Sequence, residues 1–130
     1  MPQSYEVIYH LTFTRQATEI KKKYPQIEEH LIAALGEIKA NPIPGALKYV
    51  TNPRLKGMIH KIHVGGRKGH RMIYLFLLKT VVVIPVFLSP DPKPPFKYDY
   101  EAIEVLCTQF LEDYSKKNYG AFTNWKKKAA

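Results

Sequence analysis

Six basic side chains crowd one short stretch of the chain: Lys61, His63, Arg67, Lys68, His70 and Arg71, with no carboxylate among them. Such a set can cleave a phosphodiester without a metal when the nucleophile is the 2′-hydroxyl of RNA itself. A lysine or neutral histidine takes the hydroxyl proton and an arginine stabilises the pentavalent phosphate. The simpler use of the same groups is to neutralise phosphates, and from chemistry alone binding outranks catalysis. The set belongs to a longer window: from Glu37 to Asp91 there are 53 intervening residues without Asp or Glu, holding nine Lys/Arg and three of the five histidines. Elsewhere Lys/Arg and Asp/Glu balance, so the formal net charge of +9 is carried by the middle of the chain and not by a basic tail. A folded core with that field attracts a polyanion, and basic residues interleaved with histidine along strands favour nucleic acid over a merely solvated surface.

Other chemistries lack their residues. No paired-cysteine or His-x3-His spacing offers a metal site, and no Gly-x4-Gly-Lys-Ser/Thr loop or Gly-x-Ser-x-Gly elbow is present. His60 and His63 lie three apart, which on a strand puts them on opposite faces and argues against a shared metal. Gly65-Gly66-Arg67-Lys68-Gly69 resembles a phosphate-cradling loop, but a hairpin connection explains it more simply.

The elements that would position these groups follow from hydrophobic spacing. Tyr5 to His10 reads as a strand, and Phe13, Ala17, Ile20 and Tyr24 recur at helical spacing behind a Thr12 or Thr14 cap. Pro25 starts a second helix with the apolar stripe Ile27, Leu31, Ala34, Leu35 and Ile38, stopped by Asn41-Pro42, so the two form an antiparallel hairpin. A proline-rich loop runs to Pro53. Three strands follow as an antiparallel meander, Met58 to Val64, His70 to Leu78 and Val81 to Leu88, with a tight turn at Lys79-Thr80. Alternation puts Lys61 and His63 on one face of the first and Ile62 and Val64 on the other. A last helix, Asp99 to Tyr114, has Ala102, Ile103, Leu106, Phe110 and Leu111 on its apolar face.

At 130 residues and 45% hydrophobic content the chain suits one α+β domain, residues 1–114, followed by a basic and aromatic tail, 115–130. In that tail Tyr119, Phe122 and Trp125 could stack bases, fold back on the body or stay disordered. The single cysteine, Cys107, falls in an apolar helical pattern and reads as a buried thiol in a reducing compartment. No apolar run is long enough to span a membrane and the first residues do not read as a secretory signal, so the expected location is cytoplasmic.

Order and residues together resemble the RelE/ParE superfamily of bacterial toxin–antitoxin toxins. The resemblance covers Tyr5 through about Leu111 and is carried by Leu55-Lys56-Gly57, Lys61-Ile62-His63-Val64-Gly65, His70-Arg71-Met72-Ile73-Tyr74 and Val81-Val82-Val83-Ile84. It implies a compact α+β fold in the order β-α-α-β-β-β-α, with an antiparallel sheet, an N-terminal helical hairpin and a C-terminal helix. It also implies a cognate antitoxin as partner, with a heterotetramer as one assembly, and no cofactor. RelE-like members cleave mRNA, generally on the ribosome, whereas ParE-like members poison DNA gyrase. Lys61 and Arg71 match positions where cleaving members carry a lysine and a phosphate-stabilising arginine, and His63 replaces a second basic residue, which favours the ribonuclease branch. Lys61, His63 and Arg71 are thus the expected catalytic residues, with Lys56, Arg67, Lys68, His70, Lys93 and Tyr98 as RNA contacts. The fourth strand ends Phe87-Leu88-Ser89 where cleaving members often place Arg, His or Lys, which leaves the leaving-group acid unassigned.

The charge distribution generates a prediction. Affinity for RNA should fall steeply with salt, the slope flattening by about one unit per phosphate-contacting Lys or Arg removed. Deleting the chain from Lys126 onward should change that slope less than replacing Arg67 and Lys68 together. A salt titration of the two variants checks this; a larger effect of the deletion would move the main binding surface out of the central window.

Overall fold

His70–Leu77 is apolar from Met72 onward, a pattern that suits a strand covered on both faces, and in the structure it is the inner strand β4. The computed structural model describes residues 6–40, 53–65, 69–77, 82–89 and 100–123. In chain order its elements are β1 (Glu6–Val7), β2 (Tyr9–His10), α1 (Leu11–Lys23), α2 (Ile27–Ala40), β3 (Ile59–Val64), β4, β5 (Val82–Leu88), α3 (Tyr100–Ser115), a short 3-10 turn (Tyr119–Ala121) and β6 (Phe122–Thr123). The larger sheet runs β1-β5-β4-β3 and a second, two-stranded sheet pairs β2 with β6. The Lys79-Thr80 turn and the loop from Pro42 to Asn52 lie outside the described residues.

The α+β architecture and the β3-β4-β5 meander are as expected, but the sheet is mixed and not antiparallel throughout. β1 runs parallel to β5, with Glu6 opposite Val82 and Val7 opposite Val83, and the Ile8 amide donates to the Val83 carbonyl at 3.0 Å. Two residues of strand carry no signal of direction; the crossover through the helical hairpin decides it. β5 also contains an irregularity, because Ile73 faces Phe87 while Tyr74 faces Pro85, leaving Val86 without an opposite number. Pro85 has no amide hydrogen to give the ladder, so a bulge beside it costs little pairing.

The two helical layers meet the chain on opposite sides of the segment Tyr9–His10. Tyr9 lines a groove with Phe13 and Ala17 of α1 and Leu31 of α2. The ring of His10 instead stacks on Phe110 of α3, centroids 3.9 Å apart and planes 6° off parallel, and meets the edge of Phe122 at 5.1 Å. In α2 the buried residues Ile27, Ala34, Leu35 and Ile38 are the expected stripe, while in α3 Ile103, Cys107 and Phe110 are the most buried. Burial and the neighbouring Glu104 carboxylate push the Cys107 thiol up to about 12, so it is no nucleophile near neutral pH.

His10 is also the N-cap of α1, in place of Thr12 or Thr14. Its Nδ1 accepts from the Thr12 amide at 3.1 Å, and its Nε2 lies 2.7 Å from Asp113 Oδ2 in α3. The acceptor role of Nδ1 puts the proton on Nε2, which donates to the carboxylate. Thr14 and Thr18 bond back to helix carbonyls, Leu11 and Thr14 respectively, as threonines do inside a helix. The other Asp113 oxygen takes the Asn118 side-chain amide at 3.4 Å, and the Asp113 carbonyl takes the Asn118 main-chain amide at 2.9 Å. These contacts turn the chain after α3 so that Phe122 reaches the core and pairs with His10 across β2 and β6. Of the fates open to the three tail aromatics, Phe122 thus folds back on the body; Trp125 lies outside the described residues.

His10→Ala should destabilise the protein by about 3 kcal/mol, through loss of a cap and of a buried ring. His10→Asn, which keeps a capping oxygen, should recover about 1 kcal/mol of that. Urea unfolding of the two variants measures both, and equal midpoints would remove the cap from this account.

Candidate nucleic-acid interface

β3 and β4 pair antiparallel with His63 opposite Arg71 and Lys61 opposite Ile73. Directly opposed residues share a face, and so do residues two apart on one strand. Lys61, His63 and Arg71 therefore project from one side of the sheet, the side opposite that of His60, Ile62 and Val64. Opposed Cβ atoms in such a ladder lie about 5 Å apart and diagonal ones about 7–8 Å, so a phosphate-sized group can touch all three side chains. Lys61 and His63 are exposed and Arg71 is half-buried.

The face changes character along β3. Ile59 and its opposite number Leu75 are 1% and 0% exposed, and Ile73 beside Lys61 is 0% exposed. Basic groups thus rise from a dry apolar floor, which weakens screening of their field and holds their stems. No carboxylate occurs in β3, β4 or β5. The third strand extends the rows. Phe87 of β5 stands opposite Ile73, and the Ser89 amide donates to the Arg71 carbonyl at 2.8 Å, just past the end of β5. One row therefore reads Lys61, Ile73, Phe87 and the next His63, Arg71, Ser89. Phe87, half-buried, offers a ring against which a base can stack, and Ser89, 1% exposed, seats Arg71 from its far side. Neither was singled out from sequence; the signal was the count of strand positions from Arg71, readable only once the β4/β5 register is known.

The other expected contacts divide. Lys56 is exposed in the turn that enters β3. Arg67, Lys68, Lys93 and Tyr98 lie outside the described residues. His70 does not join the set: it is one residue from Arg71 and so faces the other way, 5% exposed, with its ring edge-on to Tyr24 at 4.8 Å. His60 is also a core histidine, its Nε2 donating to the Gly57 carbonyl at 3.1 Å and its ring stacked on Tyr74 at 5.5 Å. Burial pushes the Tyr74 hydroxyl up to about 12, which keeps it neutral. His60 and His63 do point to opposite faces, as their spacing requires. Among the described residues no three His, Cys, Asp or Glu side chains gather as a metal site.

Two glycines shape the end of this hairpin. Gly65 has φ +89°, and a Cβ there would lie 2.7 Å from His30 Nδ1; a Cβ on Gly69 would lie 2.3 Å from the Val64 carbonyl oxygen.

In overall form the chain is similar to a solved structure of the E. coli toxin RelE, a mutant in its free state. The TM-score is 0.56 at 16% sequence identity, over 84% of this chain and 99% of that one. No family model and no curated protein sequence matches the chain. At that identity the likeness establishes a RelE-like fold.

The glycines yield a ranked prediction. Gly65→Ala should cost about 1–2 kcal/mol for its left-handed backbone and push a movable imidazole aside. Gly69→Ala, which meets main chain, should cost more. Chemical denaturation of both variants checks the order, and a harmless Gly69→Ala would contradict the hairpin geometry.

Proposed function

We propose that this RelE-like domain is a toxin of the toxin–antitoxin type that cleaves mRNA, in association with the ribosome, and is neutralised by a small antitoxin protein. The observation that carries the reading is the opposition of His63 and Arg71 across β3 and β4, with Lys61 on the same face of a carboxylate-free sheet. In the proposed reaction Lys61 or neutral His63 removes the proton of the 2′-hydroxyl adjoining the scissile phosphate. The 2′-oxygen attacks phosphorus while Arg71 meets the charge that develops on the non-bridging oxygens. The bond to the 5′-oxygen breaks, leaving a 2′,3′-cyclic phosphate, and a protonated group, His63 where Lys61 served as base, delivers a proton to the departing 5′-hydroxyl. Lys56, Arg67, Lys68, Lys93 and Tyr98 are assigned to the RNA on either side, and Phe87 to stacking. The chemistry is complete without a cofactor.

Arg71→Ala should lower the cleavage rate by a factor of about 10²–10³ with the fold retained, since one donor to a developing oxyanion is worth about 3 kcal/mol. Replacing Lys61 and His63 together by alanine should have at least that effect, and a 2′-deoxy substitution at the scissile nucleotide should abolish cleavage by the parent. In cells, sequencing of RNA 5′ ends separates this reading from a gyrase inhibitor of the same fold, which would leave RNA intact and generate DNA breaks. Cleavage at the parent rate by a folded Arg71→Ala variant would remove Arg71 from the chemistry.

A further inference from the structure

Behind the basic face, on the helical side of the same hairpin end, lies a half-open cavity of about 440 Å³. That volume falls within the ~300–1,000 Å³ typical of small-ligand pockets. Its polar wall consists of Lys23, Tyr24, Gln26, His30 and His70, and among the described residues no carboxylate lines it. The lysines of the last turn of α1 are used unequally. Lys21 pairs with Glu28, and Lys22 pairs with Glu19 at 3.0 Å. Lys23, at the cavity wall, instead holds its ammonium 5.7 Å from the centre of the Tyr24 ring. An ammonium over a tyrosine face keeps its charge available to an incoming anion, whereas one paired with a carboxylate does not. His30 is exposed, and its ring reaches the mouth because Gly65 has no side chain to exclude it. His70 closes the inner wall against Tyr24.

A cavity with donors from Lys23, His30 and Gln26 and, among the described residues, no acidic group suits a compact oxyanion with several acceptor oxygens. Its position narrows the choice. Val64 and Gly65, which line it, directly follow His63, and His70 directly precedes Arg71. The cavity and the basic face are therefore the two sides of one hairpin end, and among the described strands β3 lies at the sheet edge, around which a polymer can pass. We propose that the cavity is a phosphate subsite, which takes the phosphate of a nucleotide in an RNA strand continuing from the basic face around the hairpin. The polymer part of this inference rests on the endonuclease reading; the phosphate part does not.

The test uses the full chain and four probes: inorganic phosphate, a nucleoside 5′-monophosphate, the unphosphorylated nucleoside and a short RNA made uncleavable by 2′-deoxy substitution. Binding is read from the nuclear magnetic resonance signals of Tyr24 and His30, and RNA affinity is measured across a range of salt. The two phosphate-bearing small probes should shift both signals while the unphosphorylated nucleoside leaves them in place. Lys23→Ala and His30→Ala should each weaken RNA binding about tenfold. Lys23→Ala should also flatten the logarithmic salt dependence by about 0.7, the share of one phosphate on a single strand. Lys22→Ala, in the same turn but paired with Glu19, should behave as the parent. If the monophosphate shifts the signals while Lys23→Ala binds RNA like the parent, the subsite takes free nucleotide and the polymer part falls. If neither phosphate-bearing small probe moves Tyr24 or His30, the inference is overturned, whatever Arg71→Ala does to RNA cleavage.

Discussion

The contact between His10 and Asp113 joins parts of the chain that are 103 residues apart, and the tertiary arrangement is organised around it. One imidazole ends a strand, caps α1, stacks on α3 and receives Phe122 from the returning chain. Each role constrains the others. The cap needs a bare Nδ1, the carboxylate then receives the Nε2 proton, and the ring plane that satisfies both lies flat on Phe110. A buried imidazole with both nitrogens satisfied, one face stacked on Phe110 and Phe122 in a T-shaped contact admits few alternative arrangements, whereas an apolar residue of similar size would pack without setting the angle between α1 and α3.

From that junction the sheet is held at its β5 side by α3 and along its other face by the helical hairpin, and β3 is left at the edge. This asymmetry makes an interface available. Had α3 lain across β3, the ammonium of Lys61 would be a buried cation with a large desolvation cost, and the His63 ring would be enclosed beside it. They instead stand exposed beside a strand whose own residues, Ile73 and Leu75, are wholly enclosed. Arg71, intermediate in exposure, lies where the two regimes meet and is held by its own backbone pairing with Ser89. That pairing fixes the main chain from which the Arg71 side chain projects, on the same face as Lys61 and His63.

The three histidines of the basic window show how little residue type says without geometry. His60, His63 and His70 all fall in the two paired strands β3 and β4, yet two are core residues, one stacked on Tyr74 and one in a T-shaped contact with Tyr24, and one faces outward. Alternation along β3 separates His60 from His63 from sequence alone. Alternation along β4 likewise separates His70 from Arg71, but which of the two faces inward needed the knowledge of which face the helical hairpin covers.

The sequence by itself determined the elements that repeat a pattern over many residues. The stripe of α2, the apolar run of β4, the alternation of β3 and the concentration of positive charge are all local or additive properties, and each was readable because a helix or strand must present its apolar side to something. Tertiary structure decided what depends on pairing across distance. The parallel setting of β1 on β5, the bulge beside Pro85, the choice of His10 over Thr12 or Thr14 as cap and the return of Phe122 all involve short segments whose partners are far away in the chain. The same holds for the candidate site: Lys61, His63 and Arg71 were legible as a basic set, and alternation along β4 already turns His70 away from Arg71, but Phe87 and Ser89 joined that face only through the register of β4 and β5. In a sheet a shift of one residue moves a side chain to the opposite face, and no composition or spacing within a single strand specifies that shift.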